Sequence, residues 1–297
     1  MSPENIIGRF APSPTGPLHF GSLSCALASY LDIKKLGGSW LVRMEDIDPP
    51  REIKGASSHI LKQLEAHGLC WDGNVLFQST RLNAYQDSLN ILEQKNLAYN
   101  CECSRQRVNA LQGIYDNHCR RSHLPSTGNA TRVQLNQPNH LIEFVDQIAG
   151  QYAQSLAHNV GDFIIRRRDN LFSYQLAVTV DDQYQNITHV MRGSDLLDST
   201  PRQIYLQRCL EFTQPQYAHL PLATNPLGQK LSKQNLASTL IPGQETLNIW
   251  AALNWLNQSP PNDLKTGSVS EILTWAISHW DSTNVNRSLT MPAPEGF

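Results

Sequence analysis

Strands alternating with amphipathic helices through the first hundred or so residues, and strand patterns that resume after Gly161, predict an α/β protein on a parallel, Rossmann-like sheet. Between about 99 and 161 the rhythm breaks and three of the six cysteines crowd together, which marks an insertion. The stretch after 235 reads as helical. The expected parts are therefore a first half of the core over 1–98, an insertion over 99–161, a second half over 162–235, and a helical segment with a tail over 236–297.

The elements follow from local pattern. Ile6 to Phe10 is a short apolar strand, and Ala11 to Pro17, with three prolines, cannot be regular structure. Leu23, Ala26, Leu27, Tyr30 and Leu31 then share one helical face. Lys34 and Lys35 suit the end of that helix and Gly37-Gly38 stops it. Trp40 to Met44 is the next strand. Helices follow around Ile60, Leu61 and Leu64, and around Leu82, Tyr85, Leu89 and Leu92. Beyond the insertion, Phe163 to Ile165, Leu176 to Val180 and Ile187 to Met191 read as strands, and Thr200 to Phe212 as a helix with Pro201 in its first turn. Ser268 with Glu271 forms a capping box ahead of the stripe Val269, Ile272, Leu273, Ala276, Ile277 and Trp280. Asp281 to Phe297 has no periodicity and is expected to be a loose tail.

Composition bounds the function. A chain of 297 residues with 40% hydrophobic content can bury a substantial core, which excludes a largely disordered protein. A formal charge of -2 argues against charge-driven coating of nucleic acid, though a local docking site remains compatible with it. Residues 1–4 do not start a signal peptide, and the uncharged run from Phe10 to Leu31 is broken by Pro12, Pro14, Gly16, Pro17, His19 and Gly21. The cysteines do not form the framework of a small secreted domain. A cytoplasmic monomer with no membrane partner is expected.

Three segments carry chemistry. In the first, a proline-stiffened loop delivers His19 to a helix start, and Gly21 lets a ligand approach a backbone whose free N–H groups suit phosphate. In the second, Lys230-Leu231-Ser232-Lys233-Gln234 follows Gly228 and forms a cationic loop able to close on a polyphosphate; it is not a Walker loop. In the third, Cys101, Cys103 and Cys119 can supply three thiolates to Zn²⁺, one short of a closed tetrahedral site. Tyr115, His118 and His123 are the nearby candidates for the fourth ligand, and imidazole is the commoner choice.

Together and in this order, the first two segments resemble the two signatures of class I aminoacyl-tRNA synthetases. Gly8 to Gly16, Arg43 to Asp48 and Thr200 to Ile204 look like the glutamyl-tRNA synthetase catalytic core, from about Ile6 to Gln234. Within it the chain is most similar to the short glutamyl-Q paralogues, which glutamylate queuosine in the anticodon loop of tRNA(Asp). Two positions depart from the larger enzymes: Ser22 stands where the first signature ends in His, and the second ends in Gln234. A third departure is Val178, four residues after Tyr174, where a polar residue is common.

The resemblance implies an ATP-dependent ligase that activates L-glutamate without tRNA. His19, Gly21, Ser22, Lys230 and Lys233 would bind ATP, with His19 and Lys233 stabilising the reacting phosphate. Arg9, Ala11, Ser13, Glu45, Tyr174 and Arg192 would bind glutamate: Glu45 for the ammonium, the arginines for carboxylates. It also implies one structural Zn²⁺ on Cys101, Cys103, Tyr115 and Cys119, Mg²⁺ arriving with ATP, and tRNA(Asp) carrying queuosine as the partner. Arg166 to Arg168 are candidate RNA contacts. Only 63 residues follow Gln234, too few for a further domain of roughly 100–200 residues. No anticodon-binding domain is expected, which sets this reading against a truncated synthetase charging the tRNA 3′ end. A non-catalytic amino-acid sensor could dispense with His19, Gly21 and Lys233, so their presence together favours an enzyme.

Overall fold

The computed structural model describes residues 5–136, 141–231 and 239–297. Lys233, together with Ser232 and Gln234, lies outside the described residues.

The chain opens β1 (Ile7–Phe10), α1 (Phe20–Lys35), β2 (Ser39–Met44), α2 (Ala56–Ala66), β3 (Leu76–Phe77) and α3 (Leu82–Gln94). Next come β4 (Ala98–Cys101), α4 (Arg105–Ala110), β5 (Ala130–Val133), β6 (Leu141–Asp146), β7 (Gly150–Ser155), α5 (Leu156–Asn159) and β8 (Phe163–Arg166). The second half holds α6 (Tyr174–Tyr184), β9 (His189–Gly193), α7 (Thr200–Leu210), β10 (Gln216–Leu220) and β11 (Leu222–Thr224). It closes with α8 (Glu245–Trp255), α9 (Val269–His279) and β12 (Thr290–Pro292).

A seven-stranded sheet runs β3-β2-β1-β9-β10-β6-β7. Every pairing in it is parallel except the β6–β7 hairpin. The 99–161 stretch is thus divided: β6 and β7 extend the main sheet, while β4 and β5 join β8 in a separate antiparallel sheet.

The sheet separates two cores. Phe10, Val42, Met44, Met191 and Ala218 face α1, α8 and α9, while Val190, Tyr217 and Phe144 face α3, α6 and α7. Because successive strand residues point to opposite faces, Arg9, Arg43, Arg192, His219 and Asp146 all fall on the α3/α6/α7 side, near the C-terminal ends of their strands. Each is buried. Arg9 and Arg192 line a cleft, and Arg43, His219 and Asp146 lie behind them.

Two expectations change. Leu176 to Val180 is not a strand but the middle of α6, whose Ser173 cap accepts the Leu176 N–H at 3.4 Å. The run from Leu176 to Asp182 is buried throughout, and a helix enclosed on all sides has the same apolar signature as a buried strand. Residues 281–297 are not a loose tail. β12 pairs with β11, the Leu289 carbonyl accepts from Leu222 N and Ser194 Oγ, and the Phe297 ring lies 4.5 Å from that of Phe20. The capping box of Ser268 and Glu271 forms as expected.

Candidate active site

β1 lies between β2 and β9, so the chain leaves β1 to one side and returns on the other. In parallel sheets such a switch point opens a crevice at the carboxyl ends of the strands. A cavity of about 600 Å³ lies there. It is lined by Arg9, Ala11, Ser13, His19, Gly21, Ser22, Glu45, Tyr174, Arg192 and Lys230, which gathers every described residue assigned above to ATP and glutamate. Val178 is fully buried and does not line the cavity.

His19 caps α1. Its Nδ1 accepts the Ser22 N–H at 3.4 Å, and Ser22 Oγ accepts the His19 N–H at 2.8 Å. Ser22 therefore does structural work that a second histidine would not reproduce. Burial, then the charge of Lys230, lowers the His19 pKa. The neutral ring thus carries its proton on Nε2, as a donor. A Cβ on Gly21 would sit 3.3 Å from His19 Cε1 and 3.4 Å from Ala223 Cβ, so a side chain there would crowd the ring. Lys230 forms an ion pair with Asp195 across the cavity mouth.

The floor is ionic. Arg9 Nε donates to Asp182 Oδ1 at 3.1 Å, and Arg43 Nη2 donates to the same oxygen at 2.6 Å. Burial opposes ionisation of Asp182, but the two arginines outweigh it and hold the carboxyl below its usual range. Arg192 Nη1 donates to the Tyr174 hydroxyl at 3.3 Å. Burial pushes the Glu45 carboxyl up to about 7, with Arg43 and Arg9 opposing. Arg9 and Arg43 act on Asp182, and all three arginines act on Glu45, so the cleft favours an anion. Cys25 also lines the cavity, but burial raises its thiol to about 12, so no cysteine nucleophile is on offer. Asp182 was not legible as a site residue: 173 positions separate it from Arg9.

The sulfurs of Cys101, Cys103 and Cys119 lie within 4.8 Å of one another and could hold a metal ion. The Tyr115 hydroxyl stands among them, 3.4 Å from Cys101 Sγ and 3.5 Å from Cys103 Sγ. His118 and His123 are exposed and take no part in that group. Arg132 Nε donates to Cys101 Sγ at 3.2 Å, and its guanidinium lies 3.7 Å above the Tyr115 ring. Gly161 lets the chain close here: φ is +70°, and a Cβ would meet the Tyr115 carbonyl oxygen at 2.5 Å. The basic run at 166–168 is engaged within the protein. Arg166 Nη2 reaches the Ser126 carbonyl at 3.3 Å, Arg167 pairs with Asp169 at 2.6 Å, and Arg168 donates to the Glu102 carbonyl.

No helix among the described residues is long and apolar enough to cross a membrane. A family model described as the catalytic domain of class I (E and Q) tRNA synthetases matches residues 5–244. The chain is 50% identical over 289 residues to a glutamyl-Q tRNA(Asp) synthetase of Pseudomonas fluorescens, covering 97% of this chain and 96% of that protein. It is 49% identical over 302 residues to a glutamyl-Q tRNA(Asp) synthetase of Thiobacillus denitrificans, covering 99% and 100%. The fold is shared with a crystal structure of glutamate-tRNA synthetase from Elizabethkingia anophelis: the TM-score is 0.80 at 24% identity, over 98% of this chain and 68% of that one. On these relatives and this match to the catalytic domain, the chain belongs to the glutamyl-Q tRNA(Asp) synthetase family of class I tRNA synthetases.

Proposed function

We propose that the chain joins L-glutamate to ATP without RNA and then passes the glutamyl group to a hydroxyl of the queuosine cyclopentenediol in tRNA(Asp). The observation that supports the first step is a single cavity lined together by Arg9, Arg192, Glu45, His19 and Lys230, side chains whose chemistry suits carboxylates, an ammonium and phosphates. Support for the acceptor is the activity named for the relatives.

In activation a carboxylate oxygen of glutamate attacks the α-phosphorus and pyrophosphate leaves. Arg9 and Arg192 hold the carboxylates, Glu45 the ammonium, and Ser13, Tyr174 and the backbone at Ala11 complete the pocket. His19, the open N–H groups at the start of α1, Lys230 and Lys233 answer the charge that builds on phosphate oxygens. Ser22 keeps His19 in place and Gly21 admits the nucleotide; Mg²⁺ arriving with ATP would supply further positive charge to the phosphates. In transfer, a cyclopentene cis-diol presents vicinal hydroxyls much as a terminal ribose does, attacks the acyl carbon and displaces AMP.

The cysteine cluster suits one Zn²⁺, with Cys101, Cys103, Cys119 and Tyr115 as a closed set of four. The β4-β5-β8 sheet that it would pin, and Arg166 to Arg168 at the end of β8 if RNA takes over their bonds within the protein, are the surfaces proposed to meet the anticodon loop. The protein is read as a cytoplasmic monomer.

Two arms test the reading. Glutamate-dependent pyrophosphate exchange should proceed without tRNA, and Lys233→Ala should slow it by about a hundredfold or more. Labelled glutamate should enter native tRNA(Asp) at the anticodon and not an unmodified transcript. Exchange that needs tRNA, or efficient charging of the transcript at its 3′ end, would favour the truncated-synthetase alternative.

A further inference from the structure

Arg9 and Arg192 reach the cavity from adjacent strands, yet their charges are treated differently. Arg9 is answered by a carboxylate, Asp182. Arg192 has no ion-pair partner among the described residues. Its Nε donates to His219 Nε2 at 3.1 Å, Nη1 to the Tyr174 hydroxyl at 3.3 Å, and Nη2 to Thr200 Oγ1 at 2.9 Å and the Leu196 carbonyl at 3.5 Å. Four of the five N–H donors of the guanidinium thus meet acceptors without charge. The group is fixed in direction while its charge stays uncancelled.

The acceptor at Nε is the informative choice. A carboxylate there would make a stronger hydrogen bond and would neutralise the arginine. An imidazole accepts at Nε2 only when it is neutral with its proton on Nδ1. Asp146 secures that form: its Oδ2 accepts from His219 Nδ1 at 2.5 Å, and its Oδ1 accepts the His219 backbone N–H at 3.0 Å. The loop after β6 holds Asp146 in turn, since Oδ1 also accepts from Ile148 N at 3.1 Å and Ala149 N at 2.8 Å. The sheet lines the three up: Arg192 pairs in register with His219, and Tyr217 with Asp146. Both side chains of the Asp–His pair have 0% exposure and neither lines the cavity. A buried carboxylate–imidazole pair carries a desolvation cost, and a merely structural core position would be filled as well by apolar residues.

We propose that His219 and Asp146 are positioning residues that make the cleft select a carboxylate over a carboxamide. They aim Arg192 through a neutral acceptor and so leave its positive charge for the substrate. The inference rests on the reading of Arg192 as a glutamate-binding residue. Burial keeps His219 below its ordinary range, consistent with a neutral ring. Burial opposes ionisation of Asp146, but the bond from His219 prevails and keeps its carboxyl low.

The test is pyrophosphate exchange by the full chain with glutamate and with glutamine. His219→Glu places a carboxylate against Arg192. It should raise the glutamate KM by about tenfold or more, leave the ATP KM unchanged, and cut the glutamate-over-glutamine preference in kcat/KM by about tenfold. His219→Gln keeps a neutral oxygen able to reach Arg192 and should hold the preference within about threefold of the parent. Should the buried carboxylate of His219→Glu prevent folding, a neutral pair decides. His219→Asn can still meet Asp146 but is too short for Arg192, and should raise the glutamate KM by about fivefold or more over His219→Gln. Equal behaviour of the Asn and Gln variants, an unchanged preference in the Glu variant, or an ATP KM that rises in step would overturn the proposal. A parent enzyme whose exchange does not depend on glutamate would instead overturn the reading beneath it.

Discussion

Glu45 shows how much one side chain depends on its surroundings. Burial raises its carboxyl to about 7, and Arg43 and Arg9 pull it back only in part. An ammonium ion binds the ionised form, so glutamate binding must expel the proton that Glu45 holds below that value. Affinity then falls as pH drops through 7 and levels off above it. The glutamate KM is expected to be roughly tenfold higher at pH 6 than at pH 8, the ratio of ionised fractions for a group titrating near 7. In Glu45→Gln the KM should be higher throughout and this dependence should vanish; a parent profile that is flat across that range would remove Glu45 from the ammonium role. At this scale the residues proposed to touch substrate were readable in the chain, from the contiguous stretch around His19 and from positions matched to the family. Asp182, Asp146 and His219 were not. Each acts on an arginine from a distant part of the sequence, 173 positions away for Asp182 and Arg9, and no local pattern records such a pairing.

Among the elements, β12 has the least sequence signature and a large structural consequence. It lies parallel to β11, the strand that leads toward the Lys230 loop, with Leu222, Ala223 and Thr224 in register with Thr290, Met291 and Pro292. Trp255 Nε1, on a residue that lines the cavity, donates to the Pro292 carbonyl at 2.8 Å. Leu289 ties Ser194 to Leu222, so one strap holds the turn after β9 and the start of β11 together. Removal of residues 289–297 should therefore loosen the nucleotide side of the cleft before the glutamate side. We expect the ATP KM to rise by about fivefold or more while the glutamate KM changes less than twofold. Steady-state kinetics against each substrate decide it, and parallel rises in both would show a general loss of packing. α6 teaches the converse lesson. Its Val, Thr and Leu content favours a strand, but Ser173 caps it and the buried ion pairs of Asp181 and Asp182 need a helix to present them.

At the scale of the molecule, the cleft and the cysteine cluster stand on different foundations. The two large clusters of buried apolar residues flank the main sheet, and the one around Cys101, Tyr115 and Cys119 is small and separate from both. Removal of the zinc proposed for this cluster should accordingly loosen the β4-β5-β8 sheet and spare the cleft. The protein as purified is expected to carry about one zinc, and chelator treatment or Cys119→Ser to remove it along with most transfer to tRNA, while tRNA-independent pyrophosphate exchange stays within about threefold of the parent. Exchange that disappears in proportion to bound zinc would show that the cluster supports the cleft as well.

The sequence by itself determined the α/β class, the strands and helices of the first half of the core, the helix start at His19 and the crowding of Cys101, Cys103 and Cys119. Those features are local: a period of 2 or 3.6, a cap, a proline-stiff loop, a C-x-C spacing. Tertiary structure alone decided that β6 and β7 extend the main sheet, that α6 is a helix and that the last residues strap the cleft, and it places Tyr115, the choice the resemblance implied, among the sulfurs. It also decided which acceptor faces each arginine. Such choices depend on which distant groups share a buried space, where a charge must find a partner or pay the desolvation cost, and that balance is struck only once the sheet has closed.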